Sequence, residues 1–159
     1  MPKTYNLDFC WTFLLQAKPA ELWPYITDTN KFLKRAGQFS ATTRSTSQDT
    51  SNGFLDISAN KISGNHSWIE KPYFWEKPYR FGTSRKYRAS VLKFFKFDIQ
   101  LIQETYGTKL ILNLELGVRR KYIKHFLHAY VERVVKRNVS SFIQECDQAA
   151  FTKRLPYED

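Results

Sequence analysis

The residues best suited to chemistry stand near the middle of the chain. His66, Trp68 and Glu70 alternate, so in a strand they share one face. Arg85 and Tyr87 repeat that spacing further on. An ionised carboxylate turned toward a core is costly unless it is paired. Arg85 on the following strand is the expected partner of Glu70, with Lys86 in its place if the register slips by one. Facing inward, such a pair is a polar anchor in an apolar wall, able to hold the hydroxyl or carboxylate of a small molecule. At the rim of a sheet it is a structural ion pair. His66 is a further polar group for the same wall. Glu70, His66 and Tyr87 are also the types that general acid–base catalysis uses.

Other chemistries find less support. His125, His128 and Glu132 fall within roughly a 60° arc of one helix, a spacing that could ligate zinc. They stand among Lys and Arg, which disfavours a bound cation. The sequence holds no G-x-S-x-G, no H-E-x-x-H and no recognisable Cys/His nucleophile signature. Its six glycines form no G-x-G-x-x-G phosphate loop. No catalytic residue, cofactor or metal ligand is therefore assigned.

A chain of 159 residues is expected to form one domain, residues 1–159, with a single core. Its 13 Phe, 9 Tyr and 4 Trp exceed what a minimal core needs. Each aromatic buries on the order of 150–250 Å², so some are expected to line a groove or cavity. The formal net charge is +10. Seven Lys/Arg against one Glu lie between Arg119 and Arg137, so more than half of the excess sits in one segment. Lys121, Lys124, Arg133, Lys136 and Arg137 of that segment suit an anionic membrane surface, or simply a solvated helix face. Nucleic acid is not an expected partner, because no binding signature for it is present. Cys10 and Cys146 lack C-x-x-C spacing and have apolar neighbours, as buried thiols in a reducing compartment do. No signal peptide or membrane-spanning run is read, and a cytoplasmic protein is expected.

The elements that must position these residues follow from hydrophobic periodicity. Leu7, Phe9, Trp11, Phe13 and Leu15 alternate with polar positions in a first strand, Leu7 to Gln16. Pro19 to Trp23 begins a short helix, with Pro19 at its first turn, and Asn30 to Ala36 forms a second, ended by Gly37. Strands are expected over Phe39–Ser47, Phe54–Ile62, His66–Lys71 and Phe81–Arg88, with a loop over Ser45–Gly53 and a connection from Pro72 to Pro78. Phe95, Phe97, Ile99 and Leu101 share a face in the next strand. Leu110, Leu112, Leu114 and Leu116 do so in the last, after a turn at Tyr106-Gly107.

From Arg119 to Phe151 the pattern is that of one long amphipathic helix. Ile123, Leu127, Tyr130 and Val134 form one stripe, and Val135, Val139, Phe142, Cys146 and Ala149 form the next. The stripe slips by one residue, about 100° of rotation. That predicts a bend near Val135–Asn138, or a helix that wraps a curved surface. Burying the oily face of the sheet requires this helix to close across it.

Several segments in this order carry a resemblance. They are Pro19-Ala20-Glu21-Leu22-Trp23 leading into Ile26-Thr27-Asp28-Thr29-Asn30, Trp68-x-Glu70-x-Pro72 followed by Trp75, Arg85-x-Tyr87, and Gly107-Thr108. The chain resembles the START-related (SRPBCC) superfamily over nearly its whole length. It looks most like the START-like domains associated with bacterial adenylate/guanylate cyclases and their stand-alone relatives. It departs from them at Ala89-Ser90-Val91, where Gly-Pro is common, and it carries no cyclase domain.

The resemblance implies an α+β helix-grip fold: a seven-stranded antiparallel sheet curled around a long C-terminal helix, with two short helices after strand 1. It also implies a cavity for a small hydrophobic or amphipathic molecule, held by a carrier or sensor without catalysis. The expected lining is Trp11, Trp68, Tyr87, Phe95, Phe97, Leu112 and Leu114 from the sheet, and Phe126, Tyr130 and Phe142 from the helix, with Glu70, Arg85 and His66 as polar contacts. Two alternatives stand beside it. One is a regulatory or protein-interaction module filled by its own aromatics. The other is a cyclase/aromatase-like enzyme using Glu70, His66 and Tyr87.

Overall fold

Alternation between oily and polar residues produces the strands where it is cleanest. In the computed structural model, β1 is Tyr5–Leu15, β6 is Leu92–Glu104 and β7 is Gly107–Val118. These three form adjacent antiparallel ladders in the order β1-β7-β6. The structure describes residues 3–37, 55–61, 64–70, 74–88 and 90–153; the side chains of residues 30, 55–61, 64–67 and 70 lie outside that description. The expected strand over Phe39–Ser47 and the loop over Ser45–Gly53 lie outside the described residues.

Beyond β6 the sheet continues through β5 (Arg80–Tyr87), β3 (Gly64–Glu70) and β2 (Leu55–Lys61). A short strand, β4 (Phe74–Glu76), pairs with the start of β5 and brings the sheet to seven strands. It lies inside the segment from Pro72 to Pro78 that the sequence reads as a plain connection. Its three residues are all exposed, so no burial pattern marks it. At the β6–β7 turn, Gly107 has φ +148°, and a side chain there would run into the carbonyl oxygen of Leu15. Glycine thus lets the turn close against the end of β1.

Two short helices follow β1: α1 (Pro19–Ile26) and α2 (Thr29–Arg35). Pro19 opens α1, and the carboxylate of Glu21 accepts the Lys18 N–H at 2.8 Å. Asp28 caps α2 by accepting the Lys31 N–H at 3.2 Å. The corner between β1 and α1 is held from outside. The Asp147 carboxylate accepts the N–H groups of Gln16 (3.0 Å) and Ala17 (2.9 Å), and the Thr108 hydroxyl donates to the Ala17 carbonyl at 2.6 Å.

The terminal rod is α3 (Lys121–Tyr130), a π-helical turn (Val131–Val135) and α4 (Lys136–Thr152). The one-residue slip of the stripe is taken up by this wide turn, just before the expected bend. The buried series is Val131, Val135, Val139, Phe142, Ile143, Cys146 and Ala150, with Ile123 and Leu127 half-buried ahead of it. Tyr130 and Val134, placed on the stripe by the sequence, therefore give way to Val131 and Val135. A step of four drifts about 40° around an α-helix, and the wider turn removes part of that drift.

Candidate ligand-binding site

The two halves of the rod treat the sheet differently. α4 packs on α1 and α2 and buries five side chains. Beneath it the space is filled: Phe32 of α2 lies 4.6 Å from Phe97 and 6.4 Å from Phe142 between ring centres. Phe81 meets both Phe97 (6.1 Å) and Trp23 (5.5 Å) edge-on. Phe97 and Phe142, expected to line a hollow, are here parts of a ring-packed core. α3 instead buries none of its residues and touches β1 and β7 lightly.

α3 starts at the end of the sheet that carries the polar anchor. Arg119, just ahead of it, donates from Nη2 to the carbonyls of Tyr87 (3.0 Å) and Arg88 (3.1 Å) and from Nε to that of Ser90 (2.9 Å). This fastens the head of the rod to the end of β5. On the inner face beside it stand Arg85 and Tyr87, with Trp68 opposite Tyr87 in the neighbouring strand and Phe95 opposite Arg85 in the other. All four are buried, Arg85 to 1% exposure. The guanidinium lies 4.9 Å from the centre of the Trp68 ring, and the Trp68 and Tyr87 rings are 6.2 Å apart.

Glu70 is the direct cross-strand partner of Arg85, the register the sequence predicts, and Lys86 pairs with Ile69 instead. His66 occupies β3 opposite Ala59. The side chains of Glu70 and His66 lie outside the described residues. Thr83 is a buried polar residue on the same face, two positions from Arg85, that the sequence reading passed over. The alternation Thr83-Arg85-Tyr87 was the signal for it.

Trp11, Leu112 and Leu114 are buried on the inner faces of β1 and β7. The Trp11 indole nitrogen is buried without a hydrogen-bond partner among the described residues. Two basic side chains of the rod cross this region rather than reaching away from it. Lys136 stands 5.9 Å from the centre of the Trp11 ring and pairs with Glu132 at 3.7 Å, and the His128 ring lies 5.2 Å from that of Phe9.

Three expectations need correction. Phe126 and Tyr130 are 77% and 43% exposed, so neither belongs to an enclosed lining. Their positions follow from the rod turning Leu127 of α3 and Val131 of the π-helical turn inward. Cys10 is exposed, because its apolar neighbours Phe9 and Trp11 point to the other face of β1. Cys146 is buried as expected, and burial pushes its thiol up to about 12.

Hollows outlined by described residues also lie outside the inner face. One, about 450 Å³, is an open groove on the outer face of the sheet lined by Asp8, Cys10, Phe74, Arg80, Lys96 and Asp98 among others. Its charges are largely matched: Arg80 forms a two-pronged pair with Asp98 at 2.9 and 3.0 Å, and Lys96 meets Glu115 at 3.5 Å. The Asp98 carboxylate holds the Arg80 guanidinium above its ordinary value.

No family model and no curated protein sequence matches this chain. Solved structures do. The Zhui aromatase/cyclase from Streptomyces sp. R1128 is 11% identical with a TM-score of 0.55, over 98% of this chain and 99% of that one. The di-domain ARO/CYC StfQ of the steffimycin biosynthetic pathway is 14% identical with a TM-score of 0.59, over 94% of this chain and 51% of StfQ. SA2116 from Staphylococcus aureus, a protein of unknown function, is 9% identical with a TM-score of 0.59, over 94% and 98%. What these likenesses establish is the architecture: an α+β helix-grip fold, an antiparallel sheet with a long C-terminal helix across it.

Proposed function

We propose that the protein binds a small hydrophobic or amphipathic molecule between the inner face of the sheet and α3, with Arg85 as polar anchor. One observation carries the reading. The half of the rod nearest the Arg85 end of the sheet contributes no buried side chain, whereas α4 buries five, and its Phe142 packs with Phe32 of α2. A buried guanidinium framed by Trp68, Tyr87 and Phe95 sets a polar group in a largely apolar wall, the pattern that orients an amphipathic guest. The buried Trp11 N–H is a further donor for a guest's oxygen. Glu70 and His66 are assigned to the same site from their register positions alone, Glu70 opposite Arg85 and His66 opposite Ala59. Carriage or sensing is the proposed role. A cyclase/aromatase-like reaction of the bound molecule, using Tyr87 with Glu70 and His66, is its enzymatic form.

The ring packing of Phe32, Phe97 and Phe142 favours a second reading, a protein-interaction module closed by its own aromatics. Native mass spectrometry of protein purified from its own host separates the two. An adduct that organic solvent extracts, and that Arg85→Met loses, supports binding. A bare mass from protein that also fails to take up added fatty acids or aromatic polyketides supports the module.

A further inference from the structure

On α3, Tyr122, Phe126 and Tyr130 are 66%, 77% and 43% exposed. Their spacing of four places them within about an 80° arc of the helix, a continuous aromatic face. His128, which meets Phe9 of β1, is about 160° from Phe126 around the axis, so the aromatic face is turned away from β1. Val91, 52% exposed, stands beside the head of this helix, where its carbonyl accepts the Arg119 N–H at 3.3 Å.

The described charges along this segment are predominantly basic, the one acid, Glu132, being paired with Lys136. Arg119, Arg120 and Lys121 crowd the start of α3, which has no acidic residue in its first turn. Arg119 is committed to the carbonyls at the end of β5, but Arg120 and Lys121 oppose the positive end of the helix dipole and so do not serve the helix itself. Arg133 and Arg137, both exposed, continue the basic character. Arg120 donates to the Tyr122 hydroxyl at 2.7 Å, which places cation and ring side by side. Exposed Tyr and Phe flanked by Lys and Arg fit the boundary between lipid headgroups and acyl chains, where rings insert and cations meet phosphates.

We infer that α3 is a docking face for an anionic lipid bilayer, inserting Phe126 and the flanking tyrosines while the surrounding arginines contact headgroup phosphates. The inference is independent of the ligand reading, since it concerns the exposed side of α3 and needs no guest in the protein.

The test is co-sedimentation of the full chain with vesicles of phosphatidylcholine and phosphatidylglycerol in equal parts, against vesicles of phosphatidylcholine alone. The wild type should bind the anionic vesicles, and release as salt screens the charges. The combined variant Tyr122→Ser/Phe126→Ser/Tyr130→Ser keeps every charge and should bind about tenfold more weakly or worse, with its melting temperature retained. Phe126→Ser alone should show a smaller loss in the same direction and serves if the triple variant does not fold. Three results would overturn the inference: no binding by the wild type, undiminished binding by the serine variants, or displacement of vesicles by a single-stranded oligonucleotide that uses the same aromatic residues.

Discussion

The Arg85 guanidinium lies 4.9 Å from the centre of the Trp68 ring, and neither side chain reaches solvent. The two sit on adjacent strands of the inner face. A ring face offers a buried cation partial electrostatic relief without supplying a hydrogen-bond acceptor. Arg85→Met should keep much of the side-chain volume, remove the charge and abolish retention of an anionic or hydroxylated guest, read as loss of the adduct. Arg85→Lys should retain some binding, since it keeps the charge but not the planar fork. Trp68→Ala should cost about 3–5 kcal/mol of folding stability by denaturant titration, as for other buried large rings.

Trp11 separates stability from binding. Its buried N–H has no partner among the described residues, so Trp11→Phe removes a donor without breaking a hydrogen bond to any of them. The ligand-free melting temperature should fall only by the packing lost with the smaller ring. The rise in melting temperature produced by a bound amphipathic molecule should shrink, by differential scanning fluorimetry with and without that molecule.

Asp147 should matter to folding and not to binding. It accepts the N–H groups of Gln16 and Ala17, tying α4 to the corner where β1 becomes α1. Hydrogen bonds to a charged acceptor contribute about 1.5–3 kcal/mol each when well formed, and partial exposure of this group reduces that figure. Asp147→Ala should therefore lower the urea midpoint, with the slope unchanged and ligand affinity retained.

The two thiols should behave oppositely. Cys10 is exposed and should react with a disulfide reagent in the native protein; Cys146 should react after unfolding. Burial raises the Cys146 thiol from 9.0 to about 12, so the fold favours the neutral form. That contribution is fully present below the unfolded value and is lost as pH climbs from about 9.0 toward about 12. Across that window the wild type should lose stability relative to Cys146→Ala, as measured by chemical denaturation at each pH.

Much of the framework was legible because it rests on local periodicity. β1 alternates from Leu7 to Phe13, β6 from Phe95 to Leu101 and β7 from Leu112 to Leu116, and the Glu70–Arg85 register followed from counting along two strands. β4 was missed because three exposed residues carry no pattern. Cys10 was misplaced because sequence neighbours in a strand face opposite ways. The outer stripe of the rod was misassigned by one residue at Tyr130, and Phe126, off that stripe altogether, was wrongly given to the inner wall; both are exposed. Asp147 could not have been foreseen, since its partners lie 130 and 131 positions away. Nor did any pattern disclose that Phe32 fills the room beneath Phe142.

The broadened turn at Val131–Val135 sets the phase between two otherwise independent rods. Winding the same five residues as ordinary α-helix would rotate everything upstream by roughly a quarter turn about the axis while α4 kept its grip on α1 and α2. Tyr122, Phe126 and Tyr130 would then point in a new direction together. One surplus amino acid in mid-helix thereby governs which side chains this molecule shows to its surroundings and which it turns upon itself.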